Sequence, residues 1–244
     1  MFSDAHCHLY MAENIEKVLD ASQECNVGLF LNTAVDYDSS IKSAKLKLES
    51  KGVYNVLGIA PDFSVADLEK LEALEKLASK AAVGIGEIGL DIKIIETIPL
   101  ESQLRAFERQ LDIAYKLNIP VVIHSRGMLS EIEKSLNEKN IKKAMFHFFE
   151  GNEIDAKRIE KKGYLISIPP LESSRFKRVI SAVDIESLVC ETDFPAVGKT
   201  PCDVNMVIEK IAKIKSKEIT FIGDKITETI KDYFAVTYLV FWLR

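Results

Sequence analysis

Phe2-Ser3-Asp4-Ala5-His6-Cys7-His8-Leu9 stands at the start of the chain as a short run that is mostly apolar except at Asp4, His6 and His8. Residues two apart on a strand point to the same face, so both imidazoles project together. Two of the 4 histidines in the chain thus form a pair of nitrogen donors on one rigid element. By itself His-x-His fits a metal-ligand pair or two structural histidines near a strand end; the company it keeps must decide.

Outward from that run the chain alternates short β-rich stretches with amphipathic helical ones. Further strands are expected over Val27–Ala34, Val53–Ile59, Ala82–Ile88, Pro120–His124, Lys143–Phe148, Gly163–Ile168 and Ser187–Glu191. Helices are expected over Ile15–Cys25, Ser39–Lys51, Val65–Lys80, Leu100–Leu117, Met128–Asn140, Glu153–Lys162 and Ser173–Val183, with two more near Val204–Lys215 and Thr227–Phe234. In Leu100–Leu117, Leu104, Phe107, Leu111, Ala114 and Tyr115 share one face, while Arg105, Glu108, Arg109 and Asp112 share the other. A strand-then-helix unit repeated about eight times implies parallel strands joined by crossovers, and eight of these close into a TIM (β/α)8 barrel. A chain of 244 residues, 47% of them hydrophobic, has the size and apolar content for such a core. No low-complexity linker or break in composition divides it, so residues 1–244 are expected to form one domain.

Net charge is −5, which argues against a general grip on nucleic acid through a basic face, though not against local capture by metal ions. Cys7, Cys25, Cys190 and Cys202 are scattered without Cys-x-x-Cys spacing. That pattern speaks against a zinc knuckle or a disulfide framework and predicts a reducing, cytoplasmic setting. The N-terminus has no basic-then-apolar leader. The apolar tail Val236–Leu243 falls far short of the roughly 20 residues that span a bilayer, and reads as a docked tail or subunit contact.

In a barrel of this kind, chemistry sits at the C-terminal ends of the strands. Glu87 lies towards the end of the fourth apolar run, His124 ends Val121-Val122-Ile123, His147 ends Ala144-Met145-Phe146, and Asp193 follows Leu188-Val189-Cys190-Glu191-Thr192. With His6 and His8, every histidine of the chain falls where the fold would place an active site. Singly, each has a plainer reading as a turn or capping residue. Together, converging carboxylates repel unless a cation or proton lies between them. Four imidazoles and two carboxylates suit two divalent ions, with zinc or manganese favoured over magnesium by ligand softness. Such a pair would activate water for hydrolysis.

The residues also resemble a known family, the TatD metal-dependent hydrolases, deoxyribonuclease-like members of the amidohydrolase superfamily. The resemblance rests on Asp4-Ala5-His6-Cys7-His8, Gly86-Glu87-Ile88-Gly89-Leu90-Asp91, Gln103 through Leu111 leading to Pro120-Val121-Val122-Ile123-His124-Ser125-Arg126, His147-Phe148-Phe149-Glu150-Gly151 and Glu191-Thr192-Asp193-Phe194-Pro195. It implies that His6, His8 and Asp193 hold one metal, that His124 and His147 hold the other, and that Glu87 reaches both. It further implies that Asp193 orients or deprotonates the attacking water and that the substrate is DNA, cut from its 3′ end. A glutamate on the fourth strand, where many superfamily relatives use a carboxylated lysine, favours this family over dihydroorotase-like or phosphotriesterase-like enzymes.

The chain departs from the pattern where the family usually shows Gly-hydrophobic-His-Pro, since it reads Gly58-Ile59-Ala60-Pro61. Alanine cannot donate to a phosphate. The loop Gly198–Val204 lacks an Arg-Asn pair often found there, and Thr229 stands where an Asn is common. Arg126 and Lys93 are left as candidate phosphate contacts, and Phe194 and Phe149 as candidate stacking surfaces. The alternatives are an amide, lactone or carboxylic-ester hydrolase with the same metal site, and a non-catalytic scaffold that assembles through Ala235–Arg244.

Overall fold

A computed structural model describes residues 1–46 and 48–237. Its eight strands are β1 (Phe2–Cys7), β2 (Val27–Thr33), β3 (Val53–Leu57), β4 (Gly84–Asp91), β5 (Val121–Arg126), β6 (Ala144–Phe146), β7 (Leu165–Ile168) and β8 (Leu188–Cys190). They are joined by helices α1 (Ile15–Glu24), α2 (Tyr37–Ala44), α3 (Leu71–Ala81), α4 (Leu100–Leu117), α5 (Leu129–Glu138), α6 (Glu153–Lys161) and α7 (Ser174–Ala182), with α8 (Val204–Lys215) and α9 (Ile219–Phe234) after the last strand. The strands form one sheet in chain order, and every adjacent pair is parallel. The sheet curls into the expected barrel. At its seam Asp193 N donates to His6 O at 2.9 Å and His8 N donates to Phe194 O at 2.7 Å.

Strands covered by helices outside and side chains inside must be apolar on both faces. Every residue of β1, β2, β3 and β4 is buried accordingly. The interruptions are therefore informative: Asp4, His6, Asn32, Asn55 and Glu87 are buried polar groups, and each needs a partner. Asn32 Nδ2 donates to Asn55 Oδ1 at 3.0 Å across β2 and β3. Asp4 accepts from Thr192 N at 3.0 Å and from the Thr192 hydroxyl, tying β1 to the segment after β8.

Differences from the expected elements have local causes. Helix α2 begins at Tyr37 because Asp36 caps it, accepting from Ser39 N at 2.6 Å while Ser39 Oγ accepts from Asp36 N at 3.0 Å. The start expected for α3 at Val65 is instead turn and a 3-10 segment, Leu68–Lys70, and Asp67 there accepts from Tyr37 N at 2.7 Å. Helix α9 begins eight residues before the expected Thr227 and runs through Gly223. A Cβ at Gly223 would lie 2.1 Å from the Phe2 ring, so the residue that reads as a helix breaker is what lets α9 approach β1. Strand β4 runs beyond Ile88 as far as Asp91.

One expectation is corrected. Cys25 and Cys202, 177 residues apart, form a disulfide, whereas Cys7 and Cys190 are buried free thiols. Sequence spacing carries no sign of this pairing, because only the barrel brings the end of α1 beside the 3-10 turn Pro201–Asp203 that precedes α8. Among the described residues no helix is long and apolar enough to cross a membrane. Of the tail, Val236 is buried and Tyr54 Oη donates to Thr237 O; residues 238–244, where most of the proposed assembly segment falls, lie outside the described residues.

Candidate metal centre

All six residues picked out as ligands meet at the C-terminal ends of the strands. His6 ends up wholly buried, and neither ring nitrogen has a hydrogen-bond partner among the described residues. Its Nε2 lies 3.5 Å from Glu87 Oε2 and 3.6 Å from Asp193 Oδ1. Burial, with the charge of His147 beside it, pushes the His6 imidazole well below its ordinary pKa, so the ring is held neutral and has a lone pair to offer. Glu87 and Asp193 converge on the same ring nitrogen, and two carboxylates so close repel unless a cation or proton stands between them. The donor set therefore fits a divalent ion.

The other three imidazoles are each fixed from behind. His8 Nδ1 lies 2.7 Å from Thr33 O, which can only accept, so Nδ1 carries the proton and Nε2 faces Asp193 Oδ1 at 3.0 Å. His147 Nδ1 lies 3.3 Å from Glu191, whose other oxygen accepts from Phe148 N at 2.7 Å. His124 Nε2 lies 3.1 Å from Asp91 Oδ2. Glu87 stands in the middle, with Oε1 2.8 Å from His124 Nδ1 and 3.5 Å from His147 Nε2.

Without an ion the cluster is balanced by protons. Burial opposes charge at every one of these groups, but Asp91 and Glu87 raise His124 to about 9, and Glu191 and Glu87 raise His147 to about 10. Burial acts equally against ionised Glu87, yet His147, His124 and His6 hold its carboxyl well below the usual range. His8 is raised against its own burial by Asp193 and Glu87. Two groups of donors lie close enough to share an ion: His6, His8 and Asp193, and His6, Glu87 and His147. His124 falls in neither group, so its expected pairing with His147 rests on its contact with Glu87 Oε1 alone.

Asp193 reaches this cluster from a left-handed backbone, φ 51°, a conformation costly for a residue with a Cβ. It is held there by its own N–H on His6 O, at 2.9 Å, and by Gly198 N donating to Thr192 O at 2.8 Å. The sheet around β4 and β5 is also unusually close. A Cβ at Gly89, φ +150°, would sit 1.9 Å from His124 O, so only glycine allows Glu87 and Asp91 to flank His124.

Above the ligands lies a cavity of about 360 Å³ whose walls include Arg126, Phe148, Glu150, Ala196 and Val197. Arg126 NH1 is 3.5 Å from Asp91 and its Nε is 3.8 Å from Glu150. The aromatic at the cavity is Phe148, not the expected Phe149 or Phe194. Phe149 is buried against Phe146, and Phe194 belongs to the core. Lys93 is exposed in the 3-10 turn Ile92–Ile94 and does not line the cavity. Ala60 is buried beside Pro61. Two carboxylates had no role assigned from sequence. Asp91 could have been found, since it shares a strand face with Glu87 four residues earlier; Glu191 lies two residues before Asp193, and only the fold shows it behind His147.

A parallel eight-stranded barrel with a histidine and carboxylate cluster at its mouth defines a class, the metal-dependent hydrolases of amidohydrolase-like fold. The TatD related DNase family matches residues 3–235, and the chain belongs to that family. It is 31% identical to an uncharacterized metal-dependent hydrolase of Methanocaldococcus jannaschii, over 96% of each chain. It is 27% identical to a human deoxyribonuclease over 87% of this chain and 86% of the relative. Among solved structures, the TatD homolog YJJV from Escherichia coli superposes with a TM-score of 0.86 at 23% identity, covering 97% of this chain and 98% of the other. A TatD family hydrolase from Entamoeba histolytica follows the same fold, with a TM-score of 0.83 at 20% identity over 96% of this chain and 98% of that one.

Proposed function

We propose that this chain is a two-metal phosphodiesterase that removes nucleotides from the 3′ end of DNA. The observation that carries this reading is the unpartnered, buried His6 imidazole aimed between Glu87 and Asp193. In it, His6, His8 and Asp193 would hold one ion, His124 and His147 the other, and Glu87 would reach both. Zinc or manganese suits these imidazoles best, with magnesium the alternative where phosphate oxygens complete the shell. Bound there, such ions lower the pKa of water and neutralise charge on a phosphoryl group.

The protein's own part is to bind, orient and move a proton. Asp193 takes the proton of the attacking water as the water oxygen bonds to phosphorus; the P–O3′ bond breaks, a nucleoside 5′-monophosphate leaves, and the freed O3′ takes a proton from solvent to become the new 3′-hydroxyl of the shortened strand. Arg126 is the cation at the cavity wall placed to hold the phosphate, drawn away from Glu150. Phe148 offers a face for the terminal base. A cavity of about 360 Å³ suits one terminal unit rather than a duplex groove, which fits the acidic net charge. We take residues 1–244 to act as one catalytic domain. The cytoplasm is the proposed setting, and the Cys25–Cys202 bond weighs against it because thiols there are ordinarily kept reduced.

Zinc-, manganese- or magnesium-loaded protein incubated with single-stranded oligonucleotides should release mononucleotides, and His6→Ala should not. No release under any of the three, with His6→Ala indistinguishable from wild type, overturns the reading. A second reading, hydrolysis of an amide, lactone or ester, is favoured by Ala60 and by the pairing of Arg126 with two carboxylates. Turnover of carbonyl substrates alone would decide for it.

A further inference from the structure

We propose that Asp91 is a positioning residue that selects the tautomer of His124 and thereby makes its Nδ1 a metal ligand. This inference rests on the metal-centre reading above. His124 lies between two carboxylates, Glu87 Oε1 at 2.8 Å from Nδ1 and Asp91 Oδ2 at 3.1 Å from Nε2. Only the first of these faces the other imidazoles, since Glu87 also approaches His6 and His147. A neutral imidazole can offer a lone pair at Nδ1 only if Nε2 carries the proton. Glu87 claims a proton at Nδ1 in the same way until an ion displaces it; Asp91, an acceptor without a proton to give, then keeps the remaining one at Nε2.

Asp91 is built for this task. Its Oδ1 accepts from Lys93 N at 2.7 Å, and its Oδ2 lies 3.5 Å from Arg126 NH1 as well as facing His124. Its backbone is clamped by Gln103, whose Oε1 accepts from Asp91 N at 2.8 Å and whose Nε2 donates to Asp91 O at 3.1 Å. The extension of β4 pairs Gly89 with His124 and Asp91 with Arg126, so the carboxylate and the ring are held in register by the sheet itself.

The discriminating substitution is Asp91→Asn. Lys93 N and His124 Nε2–H both demand an acceptor, and an amide has one oxygen to give. With that oxygen kept by the backbone N–H, the amide NH2 faces His124 and favours the proton on Nδ1, the wrong tautomer for a ligand. Zinc titration of the wild-type chain against a competing chelator should show two binding steps. In Asp91→Asn one step should weaken by about tenfold to a hundredfold while the other is unchanged. Asp91→Glu should recover part of the loss. Long-range proton–nitrogen NMR of the zinc-loaded wild type should find His124 bound through Nδ1 and protonated at Nε2, a readout that needs no variant. Two unchanged steps in Asp91→Asn, equal weakening of both, or a His124 ligated through Nε2 overturns the proposal. A wild type that binds no zinc overturns the metal-centre reading, and this inference with it.

Discussion

His124 and His147 hold protons in the ion-free chain that the same residues would release on unfolding. Their pKa values rise from an ordinary 6.5 to about 9 and about 10, so the stability they contribute is complete below pH 6.5 and is lost as pH climbs through 9 to 10. Asp4, whose burial raises its carboxyl from 3.8 to about 8, works in the same direction. The melting temperature of the ion-free protein should therefore fall between pH 6.5 and 10. Because an ion must displace those protons, metal affinity should rise over the same interval, and calorimetry with and without zinc checks both trends. On the proposed role of Asp193 as proton acceptor, Asp193→Asn should lower kcat by about 10²- to 10⁴-fold, measured on a labelled oligonucleotide with metal occupancy checked in parallel. That the six candidate ligands converge was legible in the sequence because each polar residue interrupts an apolar run at a strand end. The residues behind them were less so: Glu191 and Asp91 are ordinary carboxylates until the fold shows an imidazole against each.

Helix α4 shows how an element positions a site it does not enter. Gln110, buried on its inner face, accepts from Ile59 N at 2.8 Å and donates to Ile59 O at 2.9 Å, while Gln103 does the same for Asp91. Two glutamines seven residues apart thus complete the backbone hydrogen bonding where β3 and β4 leave the sheet. Gln110→Leu keeps the bulk but strands an amide pair, and should cost about 1–3 kcal/mol in denaturant unfolding. Periodicity places α4 correctly because Phe107, Leu111 and Ala114 do face the core, although Tyr115, expected on the same face, is exposed. It cannot show which polar residues of that face turn inward. The same limit hid the first half of α9, where Gly223 serves contact with Phe2 rather than termination, and the last turn of β4, where Gly89 breaks the apolar run.

At the scale of the whole molecule, the seam between β1 and β8 is where first and last strands must be held together. Among the devices that cross it are the Asp4–Thr192 contacts, the Cys25–Cys202 bond and the backbone pairs of His6 and His8 with the segment after β8. Closing so long a loop restricts the unfolded chain, and Cys25→Ser with Cys202→Ser should lower stability by about 2–5 kcal/mol, read by thermal unfolding with the metal site still able to load. No sequence pattern disclosed this bond, since a pair 177 residues apart carries no local signature. His6 near the end of one stave, His8 just past it and Asp193 beyond the other face each other across this seam. An ion shared by these three would act as a rivet through the joint, so that shedding the ion and parting the staves would become one event. Hydrogen exchange should accordingly slow most in β1 and β8 when zinc is added.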